Sequence, residues 1–164
     1  MPERATMQRA KQKLRRRRSA STAAGEFVRE EMHHVREGKH GARSTKQAIA
    51  IGLSKARRAG VPLKPPRNGS ARTKRSAQLA YSEGRRHPGR KPSRTRSRAI
   101  SRALRREPHR AASHRALASQ AHNTAVRRGS RARSASARQA ARTKGPAGRK
   151  AASRKAAATR RKHA

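Results

Sequence analysis

Acid is the scarce ingredient of this chain. Seven acidic residues, all of them glutamate, face 47 lysines and arginines, and the 164 residues carry a formal net charge of +40. Positive charge at that density repels itself in any compact arrangement, and little is available to oppose the repulsion. Only 31% of residues are apolar, most of them alanine, and the aromatics are Phe27 and Tyr81 alone. Such a chain cannot bury enough apolar surface to offset the ordering entropy of its whole length. The composition predicts a mostly disordered protein with a small all-α part.

The same scarcity excludes classes of function. A packed cleft lined by aromatic and aliphatic groups lacks its materials. Without aspartate or cysteine there are no disulfides, no thiolate zinc sites, and no triads or dyads except through glutamate. Gly84 and Gly89 have P-loop spacing, but Arg90 stands where that motif needs lysine and Pro88 intervenes. The chain reads as non-enzymatic, without cofactor, metal or small-molecule substrate. Its longest apolar stretch, Ala48 to Leu53, is too short to span a bilayer, so no membrane partner is expected. The first residues are Arg-rich but lack the apolar core of a secretory signal. Because the arginine excess continues to the other end, a cytoplasmic chain is the simpler reading than a transit peptide.

Charge divides the chain in three. Residues 1–21 form a basic arm ending in Arg15, Arg16, Arg17 and Arg18. Residues 22–63 mix four glutamates with eight basic groups and hold most of the large apolar side chains. Residues 64–164, with a net charge of +29, make a low-complexity tail of Arg, Ala and Ser expected to be disordered in isolation, with transient helices that form on a polyanion, especially at 96–106 and 110–121.

The middle segment predicts a helical hairpin at about 22–60. Val28, Met32 and Val35 share one face of a first helix capped by Thr22 and stopped at Gly38. A second helix starts at Ser44, which has capping-box spacing to Gln47, presents Ile49, Gly52, Leu53 and Ala56 on one face, and ends at Gly60 and Pro62. A unit this small predicts self-association or docking on a partner for stability. Ser44 to Gln47 also occupy the leading end a groove-reading helix would use, but no third helix is visible to fix such a pair. Glu30 to His33 and Glu31 to His34 have the Glu-x-x-His spacing of di-iron bundles. With no further carboxylates in view they read as solvated pairs on a helix face, and His40 as lacking ligand partners.

The strong signal is electrostatic. Duplex DNA carries one charge per about 1.7 Å, and cations bind it by displacing condensed counterions. Guanidinium groups match phosphate oxygens bidentately, and arginine dominates here. Readers of single strands and RNA stack bases on aromatic rings, which this chain almost lacks, so duplex DNA is favoured over RNA. The candidate phosphate contacts are Arg15, Arg16, Arg17, Arg18, Arg57, Arg58, Arg85, Arg86, Arg90, Lys91, Arg105 and Arg106. The expected function is largely sequence-independent DNA binding on the nucleoid. The alternatives are a protein-interaction module in plasmid maintenance or stress, and an RNA- or ribosome-associated protein.

Glu26-Phe27-Val28-Arg29-Glu30-Glu31-Met32, Glu37-Gly38-Lys39-His40-Gly41 and the run from Ser44 to Gly60 resemble small basic bacterial proteins with an uncharacterised helical-hairpin domain. Some of those carry the automatic name plasmid stabilisation protein. The tail is similar in composition to bacterial histone H1-like proteins, with arginine where they favour lysine. That resemblance implies association with DNA.

Overall fold

The computed structural model describes residues 2–162. Six helices succeed one another with no strand among the described residues: α1 (Arg4–Arg15), α2 (Ala20–Arg36), α3 (Thr45–Arg58), α4 (Ala71–Arg86), α5 (Arg94–Arg105) and α6 (His114–Lys162), with a 3₁₀ turn at His109–Ala112. The chain is therefore not mostly disordered, and both the arm and the tail are helical. Two units divide it, one up to Gln120 and one from Ala121 onward.

Serine sets five of the six helix starts, α1 alone following Glu3 without a side-chain cap. Ser19, Ser44, Ser70 and Ser93 each accept, on the side-chain oxygen, a hydrogen bond from the backbone N–H three residues on, and Ser113 does the same for Ala116 at the start of α6. Gln47 supplies a return bond, but from Arg43 N (2.7 Å) rather than from the cap itself. Glycine sets two of the stops. At Gly38 and Gly60 the chain turns left-handed, and the two following N–H groups bond back into α2 and α3. Arg17 occupies the same position after α1, with φ 53°.

The first unit solves the shortage of apolar surface with small residues. Val35, Ala42, Ala48 and Met32 form one cluster with Ala111 and Ala112, while Phe27, Ala23, Ala24, Ala56 and Val61 form another with Ala10 of α1. Alanine and glycine let backbones meet, so each contact needs little side chain. A Cβ on Gly52 of α3 would lie 2.7 Å from the Cα of Val28 in α2. The expectation of disorder counted large apolar side chains, and this unit is built from close approach instead.

Residues 104–112 close the unit from the far side. Gly41 N donates to Leu104 O (2.9 Å), Ala42 N to Pro108 O (3.0 Å) and Thr45 Oγ1 to Ala111 O (2.7 Å). Arg36 Nε donates to Ala112 O at 2.8 Å. The hairpin is thus covered by α1, α4 and the 3₁₀ turn, so the isolated helix pair that called for self-association does not exist.

In the second unit the helical run is interrupted at Gly129 (φ 76°) and Gly145 (φ 64°), with Pro146 opening the stretch that follows. Alanine and arginine are strong helix formers, and proline is suited to a first helical position. No helix among the described residues is long and apolar enough to cross a membrane.

Candidate nucleic-acid interface

The structure sorts charge by depth. Glu26, Glu30 and Glu31, three of the seven acids, are buried in α2. Glu26 takes Arg9 Nε at 2.9 Å and Lys13 Nζ, so its pairing docks α1 on α2. The Lys13 hydrogen bond, more than that of Arg9, holds its carboxyl below the usual range. Glu31 accepts Lys55 Nζ of α3 at 2.5 Å.

The exposed acids are answered as well. Glu3 lies 3.0 Å from His34 Nε2 and within 4 Å of Lys39, and Glu37 is 2.9 Å from Lys39 Nζ. His34 chiefly lowers the pKa of Glu3, and Lys39 that of Glu37, while Glu37 raises that of Lys39. Glu83 faces Arg90 at 3.9 Å. Beyond Glu107 the chain has no acid at all. What remains on the surface is overwhelmingly cationic.

Eleven of the twelve candidate contacts are exposed. Arg15, Arg16, Arg17 and Arg18 form the turn that ends α1, where Arg17 N and Arg18 N bond back to Leu14 O and Lys13 O. Arg58, Arg85, Arg86 and Arg90 are brought together where α3 and α4 end. Gly84 packs on the Arg57 carbonyl there, and Gly89 N donates to Arg58 O at 3.1 Å. The guanidinium of Arg85 lies 5.8 Å above the Tyr81 ring. Lys91 follows in the link to α5, and Arg105 and Arg106 close α5.

Arg57 is the exception. It is 7% exposed, and its Nε and Nη2 donate to the carbonyls of Leu63 (3.1 Å) and Lys64 (3.4 Å). Burial lowers its pKa. Its guanidinium clamps the loop after α3, which sets it apart from the eleven exposed candidates.

Sequence reasoning passed over Arg98 and Arg102, which with Ser97, Ser101, Arg105 and Arg106 line a groove along α5. Their spacing of four was the signal. It also read Glu30 and Glu31 as solvated and His40 as alone. Both glutamates are buried, and His40 Nε2 lies 3.1 Å from Glu31 Oε1.

A third and a fourth helix do pack on the hairpin, and at the leading end of α3 Ser44 and Lys46 are exposed. Thr45 is buried there, bonded to Ala111. Phe27 is buried and offers no face for base stacking, and Tyr81 is half-buried with Arg85 over its ring.

No curated protein and no solved structure matches this chain. Residues 19–68, which span α2, α3 and the loop held by Arg57, are similar to a family of unknown function, DUF6496.

Proposed function

We propose that this protein binds duplex DNA through its phosphates, largely without reading sequence, and works on the nucleoid as a histone-like polycation. The observation that carries the reading is the sorting of charge: six of the seven acids are buried or paired, and eleven candidate cations, joined by Arg98 and Arg102, face outward. Binding of this kind needs no cleft and no aromatic platform, only cations that can replace condensed counterions. The scarcity of aromatics, with Phe27 buried, argues in the same direction, since single-strand and RNA recognition rests on stacking.

Fluorescence anisotropy with two unrelated duplexes of equal length, titrated over a range of salt, tests it. The expected result is affinity that falls steeply and linearly on a log–log salt plot and differs little between duplexes. A flat salt response overturns the reading, as does tighter binding to structured RNA of equal charge.

A further inference from the structure

We infer that Glu31, His34 and His40 form a binding site for one divalent ion of the zinc class, joining α2 to the loop that leads into α3. The three side chains each offer a ligand atom, and those atoms lie within 4.8 Å of one another. Two come from one turn of α2, at the spacing that puts them on a common face. The third is delivered by the link after Gly38, whose left-handed turn sends the chain back across α2.

Glu31 carries the argument. Its side chain is 0% exposed, and the two carboxylate oxygens are treated differently. Oε2 accepts the hydrogen bond from Lys55, whereas Oε1 is buried with no hydrogen bond in the protein. A buried carboxylate oxygen left in that state is costly and calls for a partner. The nearest group is His40 Nε2 at 3.1 Å, yet the two are not aligned as a hydrogen bond. The other nitrogen of that ring, Nδ1, is 3.0 Å from the carbonyl oxygen of Gly41, which can only accept. Nδ1 therefore carries the proton, and in the neutral ring Nε2 carries a lone pair that lies beside Oε1 without pointing at it.

Two lone-pair donors packed 3.1 Å apart repel unless a cation lies where both can reach it. In a tetrahedral zinc site with bonds near 2.0 Å, neighbouring ligand atoms are roughly 3.3 Å apart, close to the separation seen here. A backbone carbonyl on the distal imidazole nitrogen is also the usual outer-shell partner of a metal-bound histidine. His34 completes the set, with its ring held by Glu3 at 3.0 Å. Two imidazoles and one monodentate carboxylate suit zinc and leave a fourth position open. The neighbouring group of Glu3, Glu30 and His34 is less suited, because the Glu30 carboxylate already accepts from Glu3 N.

The test uses the full chain, stripped with chelator and titrated with Zn²⁺ by calorimetry, and separately with Co²⁺ read by visible absorption. Wild type is expected to bind one Zn²⁺ tightly, to show Co²⁺ d–d bands of a four- or five-coordinate ion, and to melt at higher temperature with zinc. His40→Gln should weaken the site at least tenfold with unchanged far-UV circular dichroism, while His33→Ala, on the exposed side of α2, should not change it. No binding by wild type, equal weakening by His33→Ala, or undiminished affinity in a folded His40→Gln overturns the inference. If His40→Gln loses helix, the wild-type cobalt spectrum decides: bands of a six-coordinate aquo ion alone overturn it.

Discussion

Gly84 of α4 lies so close to Arg57 of α3 that a Cβ on the glycine would come within 1.7 Å of the arginine carbonyl oxygen. The neighbour is backbone and cannot swing aside. Gly84→Ala should therefore separate the helices and cost about 1–3 kcal/mol in urea unfolding. Gly25, in the exposed face of α2, has nothing within 4 Å of that position. There the same substitution should stabilise by about 0.5–1 kcal/mol, because alanine loses less freedom in a helix. Opposite signs from one chemical change make the pair diagnostic of the α3–α4 contact.

Arg17 holds a left-handed conformation that glycine fills after α2 and α3. Arg17→Gly should raise stability by roughly 1 kcal/mol through relief of that strain. It should also lower the slope of DNA affinity against salt, since a candidate phosphate contact is lost. Melting temperature and anisotropy on the same sample read the two effects separately.

Arg57 and Arg58 are adjacent and should behave oppositely. Arg57→Gln deprives the Leu63 and Lys64 carbonyls of their donor and should cost about 1–3 kcal/mol while leaving the salt slope of the folded protein unchanged. Arg58→Gln should leave stability within about 0.5 kcal/mol and lower the slope by about 1.

Acid should undock α1. Glu26 is held below its ordinary pKa in the folded chain, so its contribution is fully present above the unfolded glutamate pKa, about 4.3, and is lost as pH falls through the lower folded value. Glu26→Gln should remove that part of the pH dependence and lower stability at neutral pH. Denaturation between pH 2 and 6, followed by circular dichroism in both proteins, gives the comparison.

The helices α2 and α3 were legible because each carries a strong periodic stripe ahead of a glycine stop, although the cap of α2 is Ser19 and Thr22 lies within its first turn. α1 and α4 were not, and the tail helices expected at 96–106 and 110–121 were tied to a polyanion, whereas α5 and the first turns of α6 form without one. Ser70 and Ser93 cap α4 and α5 just as Ser44 caps α3, but in a chain so rich in serine and arginine a capping serine does not stand out. Nor do Ala10, Ala77 and Ala80 announce burial, since alanine is equally at home on a surface. The Glu–Gly pairs at 37–38 and 83–84 do different work: Gly38 stops α2 at φ 75°, whereas Gly84 lies inside α4 as a contact surface. Among the candidate contacts, exposure follows from arginine's nature, and Arg57 departs from it because the chain after Gly60 folds back over it. Glu31 and His40 are nine positions apart in sequence, and only the Gly38 turn makes them neighbours.

An interior walled by alanine reverses the usual pattern of vulnerability. Trimming a large side chain is the ordinary way to wound a folded protein, and at Ala23, Ala24, Ala48 and Ala56 there is almost nothing to trim. Enlargement is the dangerous change at those positions. A survey of every single replacement should find them intolerant of valine and leucine and far more forgiving of glycine, the reverse of what Phe27 would record.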